Sequence, residues 1–103
     1  MKEKIMQRYV VLLKFTDTGI RDVDDSPARA KRFTAQAEKA GVEIKSVLWT
    51  MGEFDGILQF KAADEQTAVA LVLSLHKADN VHTRMLRAFD SDEFTEILGK
   101  IPS

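Results

Sequence analysis

Residues 42–61 read VEIKSVLWTMGEFDGILQFK. Val42 to Met51 and Gly56 to Lys61 are rich in β-branched and aromatic residues and too short for helices. The residues between them, Gly52 to Asp55, carry the glycine and aspartate that a chain reversal favours. The stretch is a strand–turn–strand hairpin. The alternation of its first strand slips near Ser46-Val47, which predicts a bulge or bend there.

Toward the N-terminus, Gly41 is a stop signal for a helix over 27–40. Ser26 is expected to cap that helix, with Pro27 in its first turn, and Ala30, Phe33, Ala37 and Ala40 recur at helical spacing. Arg29, Lys31, Arg32 and Lys39 fall on its other face and read as a solvated surface. An acidic loop, Asp17 to Asp25, precedes it, and Arg8 to Thr16 (RYVVLLKFT) is a strand. Tyr9, Val11, Leu13 and Phe15 point to one side of that strand, Val10 and Leu12 to the other. A strand apolar on both faces belongs in the middle of a sheet. Residues 1–7 read as a loose leader.

Toward the C-terminus, Asp64 caps a helix whose buried stripe is Ala68, Leu71, Val72 and Leu75. Val81 to Phe89 is a strand, and Ser91 is expected to cap a last helix with Phe94, Ile97 and Leu98 inward and Gly99 at its end. The order is β-α-β-β-α-β plus a short C-terminal helix. Short connections and right-handed crossovers make this an α+β, ferredoxin-like split βαβ domain. It has a four-stranded antiparallel sheet in order 4-1-3-2, with helices on one face. The chain of 103 residues is expected to be one domain spanning 1–103. The second apolar face of the central strand then needs a cover. A homodimer packed sheet to sheet supplies one, with a larger assembly built from it as an extension; the terminal helix folding over that face is the alternative.

Composition removes several function classes. Without cysteine there is no disulfide and no thiolate chemistry. Fifteen basic against sixteen acidic residues leave no basic field for nucleic acid. The apolar run Tyr9 to Leu13 is too short for a membrane span or a signal sequence, so a cytoplasmic protein is expected. Two histidines without ligand spacing speak against a metal, and nothing calls for a cofactor.

The topology brings Asp17-Thr-Gly19, the hairpin turn, His76 and His82 to one end of the molecule. The strands bearing Asp55 and His82 flank the first strand, roughly 10 Å apart at about 4.8 Å per strand spacing. Asp55 and His82 are therefore the candidate acid–base pair, set against a purely conformational role for Asp55 in the turn. Trp49, Met51, Phe54 and Arg84 are the candidate ligand contacts, set against core or interface packing for the aromatics. An apolar strand followed by Asp17-Thr-Gly19 resembles the active-site turn of the aspartic proteases. The second signature of those enzymes is missing and two helices contradict their nearly all-β fold, so Asp17 and Gly19 are expected to make a turn.

Several further strings complete a pattern: Tyr9-Val-Val-Leu-Leu-Lys-Phe-Thr16, Gly19-Ile-Arg21, Ser26-Pro27, Trp49-Thr50, Gly52-Glu-Phe-Asp-Gly56 and Leu86-Arg-Ala-Phe89. In this order over residues 8–98 the chain resembles the GYD family of small bacterial and archaeal domains. The resemblance implies the ferredoxin-like fold and kinship with dimeric α+β barrel proteins, and no established activity or catalytic residue. Phe54 stands where the family name has its tyrosine, so no phenol is available there. Two functions are compatible with this reading. One is a small-molecule-binding dimer, with catalysis on a small organic molecule as its extension. The other is a non-catalytic oligomeric module for regulation or protein interaction.

Overall fold

The structure, a computed structural model, describes residues 6–103. Its strands are β1 (Gln7–Phe15), β2 (Glu43–Trp49), β3 (Gly56–Ala62) and β4 (Val81–Ala88). Its helices are α1 (Asp17–Arg21), α2 (Ser26–Lys39), α3 (Glu65–Lys77) and α4 (Ser91–Leu98), with a 3-10 turn at Val23–Asp25. The sheet order is β2-β3-β1-β4 and every pairing is antiparallel, the split βαβ arrangement. The leader expected over 1–7 falls largely outside the described residues, and Gln7 already belongs to β1.

β1 sits between β3 and β4, with Val11 opposite Leu58 on one side and Met85 on the other. Tyr9, Val11, Leu58 and Phe60 pack with Val42, Ala37 of α2 and Ala68 and Val72 of α3, so both long helices cover the same sheet face. The Tyr9 and Phe60 rings stack with centroids 5.3 Å apart. The Tyr9 hydroxyl donates to Gln7 Oε1 at 2.7 Å, and burial pushes its pKa up. The bulge in β2 lies at Lys45: Ile44 and Ser46 face consecutive residues of β3, Phe60 and Gln59. That is just before the slip seen in the alternation, as expected when one extra residue inverts the facing of those that follow.

Three local readings change. Asp17–Arg21 is helical and Val23–Asp25 a 3-10 turn, rather than one loop; the Thr16 hydroxyl accepts from the Gly19 amide at 3.0 Å and caps α1. Asp17-Thr-Gly19 is thus a helix's first turn. Ser26 makes no cap; it is buried in the first turn of α2, where its hydroxyl accepts a hydrogen bond from another element. Asp90, not Ser91, caps α4, in a reciprocal box: Asp90 accepts from the Glu93 amide and the Glu93 side chain accepts from the Asp90 amide, each at 2.8 Å.

The largest departure is the packing of α4. Phe94, Ile97 and Leu98 are expected from the sequence to be buried, yet all three are exposed, at 51%, 37% and 49%. The helix is anchored through its cap, where Arg8 pairs with Asp90 at 3.3 Å and Glu93 at 3.6 Å. Among the described residues its apolar stripe stays exposed. The open face of the sheet is also left apolar: Leu48 and Leu86 are exposed beside half-buried Val10, Leu12 and Ile57. No helix among the described residues is long and apolar enough to cross a membrane.

Candidate functional site

The hairpin turn is tied to the end of β1. The Asp55 amide donates to the Leu13 carbonyl at 2.8 Å, and its Oδ2 accepts from the Phe15 amide at 2.8 Å. Its own carbonyl accepts from the Thr50 amide at 2.9 Å, and the Thr50 hydroxyl donates to the Phe54 carbonyl at 2.7 Å. Gly52 takes φ 137°, a region where a side chain would be strained. The opposite corner is as closely built. Thr16 donates from its amide to the Asn80 carbonyl and from its hydroxyl to the Asp79 carbonyl, at 3.0 and 2.7 Å.

Between these two clamps the helices lift from the sheet and leave a cavity of about 400 Å³. Leu13, Phe15, Val47, Leu58 and Val81 line it from the sheet, Phe33 from α2 and Leu75 from α3. Its polar lining includes Ser26, Arg29, Arg32 and Gln36 of α2, together with Asp55 and Asn80. Trp49 stands at one side, its indole Nε1 donating to Ser26 Oγ at 2.9 Å. That bond joins β2 to α2 and fixes the ring. Arg29 donates from Nη1 to the Asp22 carbonyl at 3.0 Å, while its Nη2 is buried and meets no protein acceptor.

Of the residues singled out from sequence, Trp49 and Asp55 line this cavity. Met51 is fully exposed at the hairpin tip, and Phe54 is half-buried outside the lining. Arg84 pairs with Leu12 across the strands and so lies on the open sheet face. Asp55 and His82 do not come together. Strand alternation decides this: Phe15 and Val81 are partners and line the cavity, whereas the next pair, Lys14 and His82, faces the other way. His82 borders a shallow depression with Lys14, Thr16, Asp17, Thr18 and Asp79. The ring Nε2 of His76 shares a hydrogen bond with the Thr83 hydroxyl. No cluster of three or more metal-ligating side chains occurs among the described residues.

Arg29 and Arg32, expected from the sequence on a solvated face of the helix, line the cavity instead, together with Gln36, which the sequence reading did not single out. The signal was present in part: Ser26, Arg29 and Phe33 are three and four residues apart, so Arg29 lies on the edge of the stripe that carries Phe33 inward.

No curated protein matches the chain. Among solved structures it is similar to the crystal structure of MtbAldR, with 14% identity and a TM-score of 0.58, over 84% of this chain and 55% of that one. That likeness is one of fold, and the chain spans about half the length of that protein. The family model described as the GYD domain matches residues 9–98. The match begins at the first fully packed residue of β1 and ends with the last residue of α4, taking in both clamps and the cavity between them, and the chain belongs to the GYD domain family.

Proposed function

We propose that this domain binds a small organic molecule in the cavity between its sheet and the helices α2 and α3. The observation that carries the reading is the cavity itself: about 400 Å³, walled chiefly by apolar side chains, with polar groups from α2 and from the two clamps. Sites for small ligands have this size and this balance of surfaces. Trp49 and Asp55 are the contacts retained from the sequence reading. The role assigned to the site is binding, because the Asp55 carboxylate is committed to the Phe15 amide and His82 lies on the other side of the sheet.

A melting screen against a metabolite panel tests this, since a ligand selective for the native state raises apparent stability. A hit at about a hundred times its dissociation constant adds roughly 2.7 kcal/mol. The shift is expected to shrink in Trp49→Ala relative to that variant's own baseline. A panel without hits, or hits indifferent to Trp49→Ala, contradicts the reading.

We further propose that the working unit is a homodimer joined through the open sheet face. The support is the row of apolar side chains on that face, Leu48, Ile57 and Leu12 in register, with Val10 and Leu86 beside them. Contiguous apolar surface of this kind marks an interface.

A further inference from the structure

The cavity carries a specific charge preference on its helical wall. Arg29 and Arg32 are neighbours on α2 and both line the cavity. The ion pairs among the described residues join Arg8 to Asp90 and Glu93, and Lys45 to Glu43, and none uses either arginine. Arg29 is held in place by its Nη1 bond to the Asp22 carbonyl, so its reach is set before anything binds. Its Nη2 is left buried without an acceptor. The positive charge of that part-buried guanidinium has no ion-pair partner among the described residues, and an anion in the cavity compensates it. The carboxylate in the same cavity, Asp55, already accepts from the Phe15 amide. The acidic residues Asp22, Asp24 and Asp25 ahead of α2 do not line the cavity.

We infer that the ligand is a small amphipathic carboxylate. Its apolar body lies against Phe15, Phe33, Leu58 and Leu75, and its carboxylate faces the guanidinium groups of Arg29 and Arg32. Two neighbouring cations on a mainly apolar lining suit a charged head on an apolar body. This inference rests on the ligand-binding reading above and adds the chemical class.

The test uses matched pairs that differ only in the head group: octanoate against octanamide, and indole-3-acetate against indole-3-acetamide. Calorimetric titration of the full chain is expected to show at least one acid binding about ten-fold or more tighter than its amide, with the preference falling at high salt. Arg29→Gln is expected to bring that ratio close to one, and Arg32→Gln to lower it, with circular dichroism confirming that each variant is folded. Should Arg29→Gln fail to fold, Arg32→Gln and the salt dependence still decide the matter. Amides that bind as tightly as acids overturn the anion preference and leave the cavity reading standing. So does a neutral hit from the melting panel when neither acid binds. A preference for acids unchanged in both variants also overturns the assignment to α2. If nothing in the panel or in the matched pairs binds, both readings fall.

Discussion

Asp55 shows how much one turn residue can hold. Its backbone and side chain together tie the hairpin to Leu13 and Phe15 at the end of β1, beside the cavity. Asp55→Ala removes the acceptor and leaves the part-buried Phe15 amide without a partner, which is expected to cost about 1–3 kcal/mol in denaturant unfolding. Asp55→Asn keeps an acceptor oxygen and is expected to cost less. Equal losses for the two would remove the hydrogen bond from the explanation. Gly19 marks the other clamp. A Cβ there would stand 2.0 Å from the Asn80 carbonyl oxygen, so α1 and the α3–β4 connection must separate to admit it. Gly19→Ala is expected to destabilise by about 1–3 kcal/mol, the usual cost of overpacking, and an unfolding midpoint equal to wild type would contradict the close approach. At this scale the sequence was partly legible. The importance of Asp55 showed in its Gly-flanked turn, but its partner on β1 did not, because a long-range bond leaves no local pattern. Trp49 was singled out as an aromatic beside a turn, but its bond to Ser26 was not legible; Ser26 does not cap α2 because its backbone is already helical, at φ -57° and ψ -43°.

At the scale of elements, periodicity was enough to order the strands and the two long helices, since each has a face that must be buried. What periodicity could not supply was parity between strands. The side on which His82 emerges depends on its pairing with Lys14, and pairing is a property of the sheet. The cap of α4 was displaced by one residue because Asp90 and Ser91 are both good capping residues; the Glu93 partner three positions on selects Asp90. That cap has a consequence in acid. The Asp90 pKa is lowered, first by the bond it accepts from the Glu93 amide and then by the Arg8 guanidinium. A carboxylate whose folded pKa is depressed contributes its stability above its unfolded pKa, about 3.9 for an aspartate, and loses it as pH falls through the lower folded value. Amide protection across residues 91–98 is therefore expected to hold down to about pH 4 and to fall below it, before the core strands respond. Protection unchanged through that range, or already absent at neutral pH, would contradict the cap.

At the scale of the whole molecule, two apolar surfaces stay exposed among the described residues: the open sheet face and the stripe of α4. The first was foreseeable from a central strand with Val10 and Leu12 opposite its core face. The second was not, because an amphipathic helix in a sequence does not say which molecule its apolar side meets. Leu86 lies on the open face and is half exposed, so Leu86→Glu should leave the single chain folded. In sedimentation the wild type is expected at twice the mass of the chain and the variant at the mass of one. A monomeric wild type at micromolar concentration would remove the dimer proposal. The cavity is a separate matter, formed by side chains of one chain. The chain has a single tryptophan, so its indole N–H gives one resonance, reporting from the cavity wall where Trp49 meets Ser26. The most direct measurement follows that resonance by NMR as a ligand from the melting screen is added. A shift that saturates with the binding curve, together with the amides of Phe15 and Asp55, is the expected result. Shifts confined to the open face around Leu12, Ile57 and Leu86, with the Trp49 signal unmoved, would contradict it.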